Sequence, residues 1–147
     1  MTRILVVDDE NEVRAALQRR LEREGYKVTA AASAAEAKDA IHAQEPTFDV
    51  VVTDMSMEEA NSGLDVLQEA VAHDIFTEVV VLTAYGNVAN AVESMRRGAF
   101  DYLEKNSPGV DVFELLVMKV NQAMERRRSA IGTMRRLEVY ARIAEKG

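Results

Sequence analysis

Cysteine and tryptophan are absent from this 147-residue sequence, and proline occurs only twice. Without cysteine there is neither a disulfide framework nor a thiolate metal site, and a reducing compartment is compatible. No apolar run approaches the length of a bilayer span, and the N-terminus lacks a signal-peptide pattern, so a cytoplasmic protein without membrane contact is expected. No Gly-x-Gly-x-x-Gly or Walker pattern follows any apolar run, which argues against a dinucleotide or P-loop site. What remains is 48% apolar and 29% charged, ordinary for a soluble domain and wrong for a disordered chain. The length suffices for one domain with a full core.

The net charge of −7 is unevenly spread. Residues 124–147 carry six Arg and one Lys against three Glu, while the preceding residues hold 11 basic and 22 acidic side chains. An acidic body and a basic tail imply two regions with different tasks. The expected division is a domain over 1–125 and a helical extension or linker over 126–147.

Short apolar runs alternate with helix-period segments. Strands are expected at 3–7, 27–31, 49–53, 78–82 and 100–104, near-continuous apolar stretches of the kind that parallel strands need when covered on both faces. Between them, Val13, Ala16, Leu17 and Leu21 form a helical stripe that Gly25 can end. Ser33-Ala34-Ala35-Glu36 reads as a capping box opening a second helix. Leu64, Leu67 and Val71 mark a third. Val88, Ala91, Val92 and Met95 mark a fourth, and Asp111 caps a fifth. Five βα units predict an α/β fold with a doubly wound five-stranded parallel sheet. His42 and His73 fall in separate helical segments and read as surface residues rather than ligands.

In such a sheet, ligands bind beyond the carboxyl ends of the strands. Four of the five ends carry reactive side chains: Asp8-Asp9 after the first, Asp54 after the third, Thr83 after the fourth and Lys105 after the fifth. Each alone suits a turn or a helix cap, but one fold gathers them all at one edge. Three carboxylates in one cleft disfavour joint ionisation. A hard divalent cation such as Mg²⁺, which prefers oxygen ligands and often shares its site with phosphate, resolves the conflict. Lys105 brings a compact positive charge suited to a phosphoryl oxygen, and Thr83 a hydroxyl donor. Asp54, alone at its strand end, is the natural nucleophile for an acyl phosphate.

The runs "VVDDE", "VVTDMSM", "VVLTAYG" and "GAFDYLEK" occur in this order. Over residues 2–128 the chain resembles the receiver domain of bacterial two-component response regulators, the CheY-like fold. It is most similar to receivers of the nitrogen-regulation class of transcriptional activators. That resemblance implies strand order 2-1-3-4-5, Asp54 as phosphoacceptor, Asp9 as a direct metal ligand and Asp8 as one that acts through water. It further implies that Ser56 lends its backbone carbonyl to the metal, that Thr83 and Lys105 contact the phosphoryl group, and that Tyr102 is the aromatic switch turning inward when Thr83 moves. A sensor histidine kinase is the implied phosphodonor, the face of the fourth helix, fifth strand and fifth helix the implied output surface. A stand-alone regulator and a piece of a longer chain with an output domain are both compatible.

Two positions depart from the family pattern. Glu58 stands where Pro is usual, and Gly63 falls one residue late, so the loop after Asp54 is one residue longer. Asn106 stands where Pro usually follows the lysine in a cis bond; for a non-proline residue that bond costs about 2.5–4 kcal/mol. Beyond the fifth helix, Arg127, Ala130, Met134, Leu137, Ala141 and Ala144 continue a heptad phase. A helix from Asp111 to Lys146 spans about 54 Å, against about 30 Å for a small domain. An exposed seam of that length predicts a homodimer through the fifth helix and tail. Arg126-Arg127-Arg128 lacks aromatic interleaving or a reading motif, and reads as a solvated helix face or linker rather than a nucleic-acid contact. Two other functions are compatible: a phosphorylation-independent dimerisation module, and an aspartyl-phosphate phosphohydrolase. The latter usually places a second acid two residues after the nucleophile, where this chain has Ser56.

Overall fold

The computed structural model describes residues 1–84 and 87–146. Strands β1 (Arg3–Val7), β2 (Lys27–Ala31), β3 (Val50–Asp54), β4 (Glu78–Thr83) and β5 (Asp101–Glu104) alternate with helices α1 (Asn11–Arg23), α2 (Ala34–Ala43), α3 (Ser62–His73), α4 (Val88–Arg96) and α5 (Val112–Lys146). All pairings are parallel and the order is β2-β1-β3-β4-β5. The expected doubly wound sheet is therefore present, with β3 and β4 reaching one residue further than their apolar runs. The cause is pairing: Asp54 stands opposite Leu82 and Thr83 opposite Glu104, so both reactive residues belong to the ladder itself.

Alternation along the strands divides the core in two. Ile4, Val6, Val50, Val52, Val80 and Leu82 face α1 and α5, where Leu17, Leu21, Leu116 and Val120 cover them. Leu5, Val7, Val51, Val79 and Val81 face α2 and α3, against Ala37, Ile41, Leu64 and Leu67. The central strands are thus buried on both sides, as their unbroken apolar runs require. Local signals set the helix ends. Ser33 Oγ accepts the Glu36 N–H at 3.1 Å, and the Glu36 carboxylate takes the Ala32 N–H at 2.6 Å. Asp111 accepts from Phe113 and Glu114 to open α5. Gly25 closes α1 at φ +94°, a conformation favouring glycine. Helix α4 forms where expected, but its apolar residues do not pack inward: Val88, Val92 and Met95 are exposed.

Helix α5 is a single 35-residue element, about 52 Å long at 1.5 Å per residue. Its packing on the sheet ends near Met124, and ion pairs then take over. Arg126 pairs with Glu78 and lies 4.7 Å from the Phe100 ring centre. Arg127, itself largely buried, meets Asp49 at 2.9 Å and Asp74 at 3.8 Å. The expected solvated arginine run is therefore corrected for Arg127, while Arg126 stays exposed as expected. Both are fixed to carboxylates at the amino-terminal edge of the sheet, and they set the direction in which the tail leaves. Further on, Met134 and Leu137 are exposed as the heptad phase requires, and so are Val139, Tyr140 and Ile143 on a neighbouring stripe.

Candidate functional site

The parallel ladder brings the carboxyl ends of β1, β3, β4 and β5 to one edge. Asp8 follows β1 and is almost wholly buried, held by the Glu10 N–H on Oδ1 at 2.9 Å. Asp54 ends β3, 6% exposed, its Oδ1 accepting the Met55 N–H at 2.9 Å. Asp9 is exposed. A carboxylate oxygen from each of Asp8, Asp9 and Asp54 lies within 4.8 Å of the others, a unique grouping of metal-type donors among the described residues. Three hard oxygen donors beside open solvent fit a Mg²⁺ that keeps several waters.

Lys105 answers part of this charge. Its Nζ is 2.6 Å from Asp8 Oδ2 and 3.5 Å from Asp54 Oδ1. Its backbone N–H donates to the Thr83 carbonyl at 2.7 Å, tying the fifth loop to the end of β4. The peptide bond after Lys105 is trans, since Glu45-Pro46 is the single cis bond among the described residues. Asn106 in place of Pro therefore leaves Lys105 reaching the acids. Burial pulls the Lys105 pKa down, but the hydrogen bond to Asp8 and the charges of Asp54 and Asp8 outweigh it and leave it raised. Asp54 is pushed up to about 6, first by burial, with Asp8 adding and Lys105 opposing.

A cleft of about 420 Å³ opens over the acids, lined by Asp9, Asp54, Ser56 and Thr83 together with Glu10, Ala84, Asn87 and Asn90. Of the expected set, Asp8, Asp9, Asp54, Ser56, Thr83 and Lys105 thus meet at one site. Sequence reasoning missed Asn87 and Asn90. Asn87 caps α4 by accepting the Asn90 N–H at 3.1 Å, and an Asn directly before an apolar helical stripe was the available signal. The last two residues of "VVLTAYG", Tyr85 and Gly86, lie outside the described residues. Tyr102 stands apart from the cleft: its ring packs against the α2–α3 core, and its hydroxyl is buried without a hydrogen-bond partner among the described residues. His42 and His73, read as unrelated, meet edge to face with ring centres 5.2 Å apart, and His42 also contacts Glu69. Both rings remain on the surface, away from the acids.

Gly63 explains how the longer loop closes. A Cβ there would stand 2.4 Å from the Asp54 carbonyl oxygen and 2.7 Å from Met55 Cα. Its N–H donates to the Met55 carbonyl at 2.8 Å. The start of α3 can approach the end of β3 this closely only without a side chain.

The response regulator receiver domain model matches residues 4–117. This chain belongs to that family. Among curated relatives, the acid tolerance regulatory protein ActR of Rhizobium meliloti is 33% identical over 83% of this chain and 61% of its own length. The alginate biosynthesis transcriptional regulatory protein AlgB of Pseudomonas aeruginosa is 41% identical over 70% of this chain and 22% of its own. The chain therefore spans about three fifths of one relative and about a fifth of the other. Among solved structures, the beryllofluoride-activated NtrC4 receiver domain dimer superposes with a TM-score of 0.75 at 31% identity, covering 86% of this chain and 99% of that one. Receivers are regulatory rather than catalytic, accept a phosphoryl group, and bind Mg²⁺ at an acidic pocket. The nitrogen-regulation class is consistent with these relatives. No helix among the described residues is long and apolar enough to cross a membrane.

The raised Asp54 pKa has a consequence for stability. In the metal-free receiver the native state holds the Asp54 proton more tightly than the unfolded chain does. Its contribution is therefore neutral below about pH 4 and becomes destabilising as pH rises through about 6. Asp54→Asn is expected to raise the metal-free melting temperature at pH 8 by about 3 °C or more, the shift that roughly 1 kcal/mol produces in a domain of this size. The gain should vanish near pH 4. Calorimetry at both pH values checks it, and an equal gain at both would contradict the assignment.

Proposed function

We propose that this receiver takes a phosphoryl group from a sensor histidine kinase onto Asp54, with Asp8, Asp9, Asp54 and the Ser56 backbone carbonyl holding Mg²⁺. The observation that carries the reading is the Lys105 ammonium set between Asp8 and Asp54 at the edge of an open acidic cleft. The Asp54 carboxylate forms the new P–O bond, and the bond to the donor breaks with its electron pair leaving on the donor. Lys105 stays protonated throughout, as its raised pKa favours, and can exchange Asp8 for a phosphoryl oxygen. Thr83, which lines the cleft, is proposed to offer its hydroxyl to a second oxygen. When bound, Mg²⁺ supplies positive charge against the acids and the phosphoryl oxygens.

Thr83 and Tyr102 form the proposed switch. Tyr102 was expected to move inward from solvent, yet its ring is already half-buried. A buried hydroxyl without a partner costs about 1–3 kcal/mol, which keeps an outward position competitive. Phosphorylation is proposed to bias that balance through Thr83. Val88, Val92 and Met95 on α4 and Met118 on α5 are exposed and suit an apolar partner surface. The tail is proposed to begin beyond the Arg126 and Arg127 ion pairs and to join two copies through Met134, Leu137 and their neighbours. The NtrC4 receiver, a dimer when activated by beryllofluoride, supports association of two receivers.

Two measurements test the reading. Acetyl phosphate with Mg²⁺ should give one phosphoryl adduct by intact mass, absent from Asp54→Asn; an equal yield in that variant would remove Asp54 from its role. In sedimentation, the chain should associate, and beryllofluoride should change the strength of association. A version ending at Ser129, which keeps the arginine pairs, should remain monomeric. A monomer under every condition would reduce the tail to a linker.

A further inference from the structure

Helix α2 receives part of its cap from a distant loop. Its first N–H groups have no acceptor within the helix, and Ser33 satisfies the one on Glu36. The Ala34 N–H instead donates to the Glu58 carboxylate, 3.0 Å from Oε1 and 3.1 Å from Oε2, across 24 residues of sequence. A negative charge at this end also complements the helix dipole.

The loop bearing Glu58 runs from Met55 to Asn61. Its base is closed by Gly63 on Met55, and its interior by Ser56 Oγ on the Ala60 carbonyl and Met57 on Glu59. Its outer end is tied to another element, among the described residues, by the Glu58–Ala34 hydrogen bonds. Strand β1 lies between β2 and β3, so this tether passes the flank of β1 where Asp8 and Asp9 emerge. Ser56 sits two residues before Glu58 and lines the acidic cleft, which Glu58 does not. The charge of Glu58 is thus directed to the α2 terminus rather than added to the acids.

We propose that Glu58 is a positioning residue for the metal site. Its clasp on α2 holds the lengthened β3–α3 loop, and with it the Ser56 carbonyl, in the place the cation requires. It does by a hydrogen-bonded tether what the usual proline at this position does by restricting the backbone. The inference rests on the metal ligands proposed above.

The test compares Mg²⁺ affinity by calorimetry with amide exchange at Ala34 in wild type, Glu58→Ala, Glu58→Gln, Glu59→Ala and Asp9→Ala. Glu58→Ala should bind Mg²⁺ about tenfold more weakly, the lower end of the range for groups that orient metal ligands, and Ala34 should exchange faster. Glu58→Gln keeps a carbonyl acceptor and should recover most of the affinity. Glu59→Ala removes the same charge one residue away and should change little, which separates tethering from long-range attraction. Faster exchange at Ala34 with undiminished affinity in Glu58→Ala would make Glu58 a helix cap alone and overturn the proposal. Equal weakening in Glu59→Ala would overturn it too. Retained affinity in Asp9→Ala would instead overturn the ligand assignment itself.

Discussion

Three carboxylates crowd one end of the sheet, and a single ammonium group stands among them. The fold holds this arrangement against its own repulsion. Asp8 and Asp54 are buried at the ends of adjacent strands, where removal from water already disfavours the charged form of Asp54. Lys105 bridges the two but leaves Asp9 in solvent and Asp54 titrating near 6. The metal-free site is therefore a poised one. It is short of positive charge in a cleft that admits both a cation and a phosphoryl group.

The rest of the molecule fixes that edge in place. Parallel pairing sets the strand ends level, and two separate cores clamp the sheet from both faces. Close approach at Gly63 and the Thr83–Lys105 backbone bond bring the third and fifth loops in from either side. At the opposite edge, Arg126 and Arg127 fasten α5 to Glu78 and Asp49. These pairs fix the direction in which the tail leaves the sheet.

Much of this was legible in the sequence. Continuous β-branched runs announced buried parallel strands, and the reactive residues at their ends announced a shared site. Capping at Ser33 and Asp111 was local, and local rules found it. What stayed hidden depended on tertiary placement. Glu58 stood out only as a departure from the usual proline, because its partner, the Ala34 N–H, becomes a neighbour only in the folded chain. Arg127 looked solvated because its carboxylates, Asp49 and Asp74, come from two other segments. His42 and His73 meet only because α2 and α3 lie side by side. The apolar stripe on α4 identified a helix correctly, but periodicity cannot tell a stripe that packs on the core from one left for a partner.

The central claim is that Asp54 is held in an electrostatic conflict that a divalent cation relieves. Carbon-detected NMR titration of the Asp54 carboxyl measures this directly. Without metal the midpoint should lie near pH 6, and with saturating Mg²⁺ it should fall well below, because the cation favours the carboxylate. A midpoint in the ordinary aspartate range near 4, unmoved by Mg²⁺, would contradict the account.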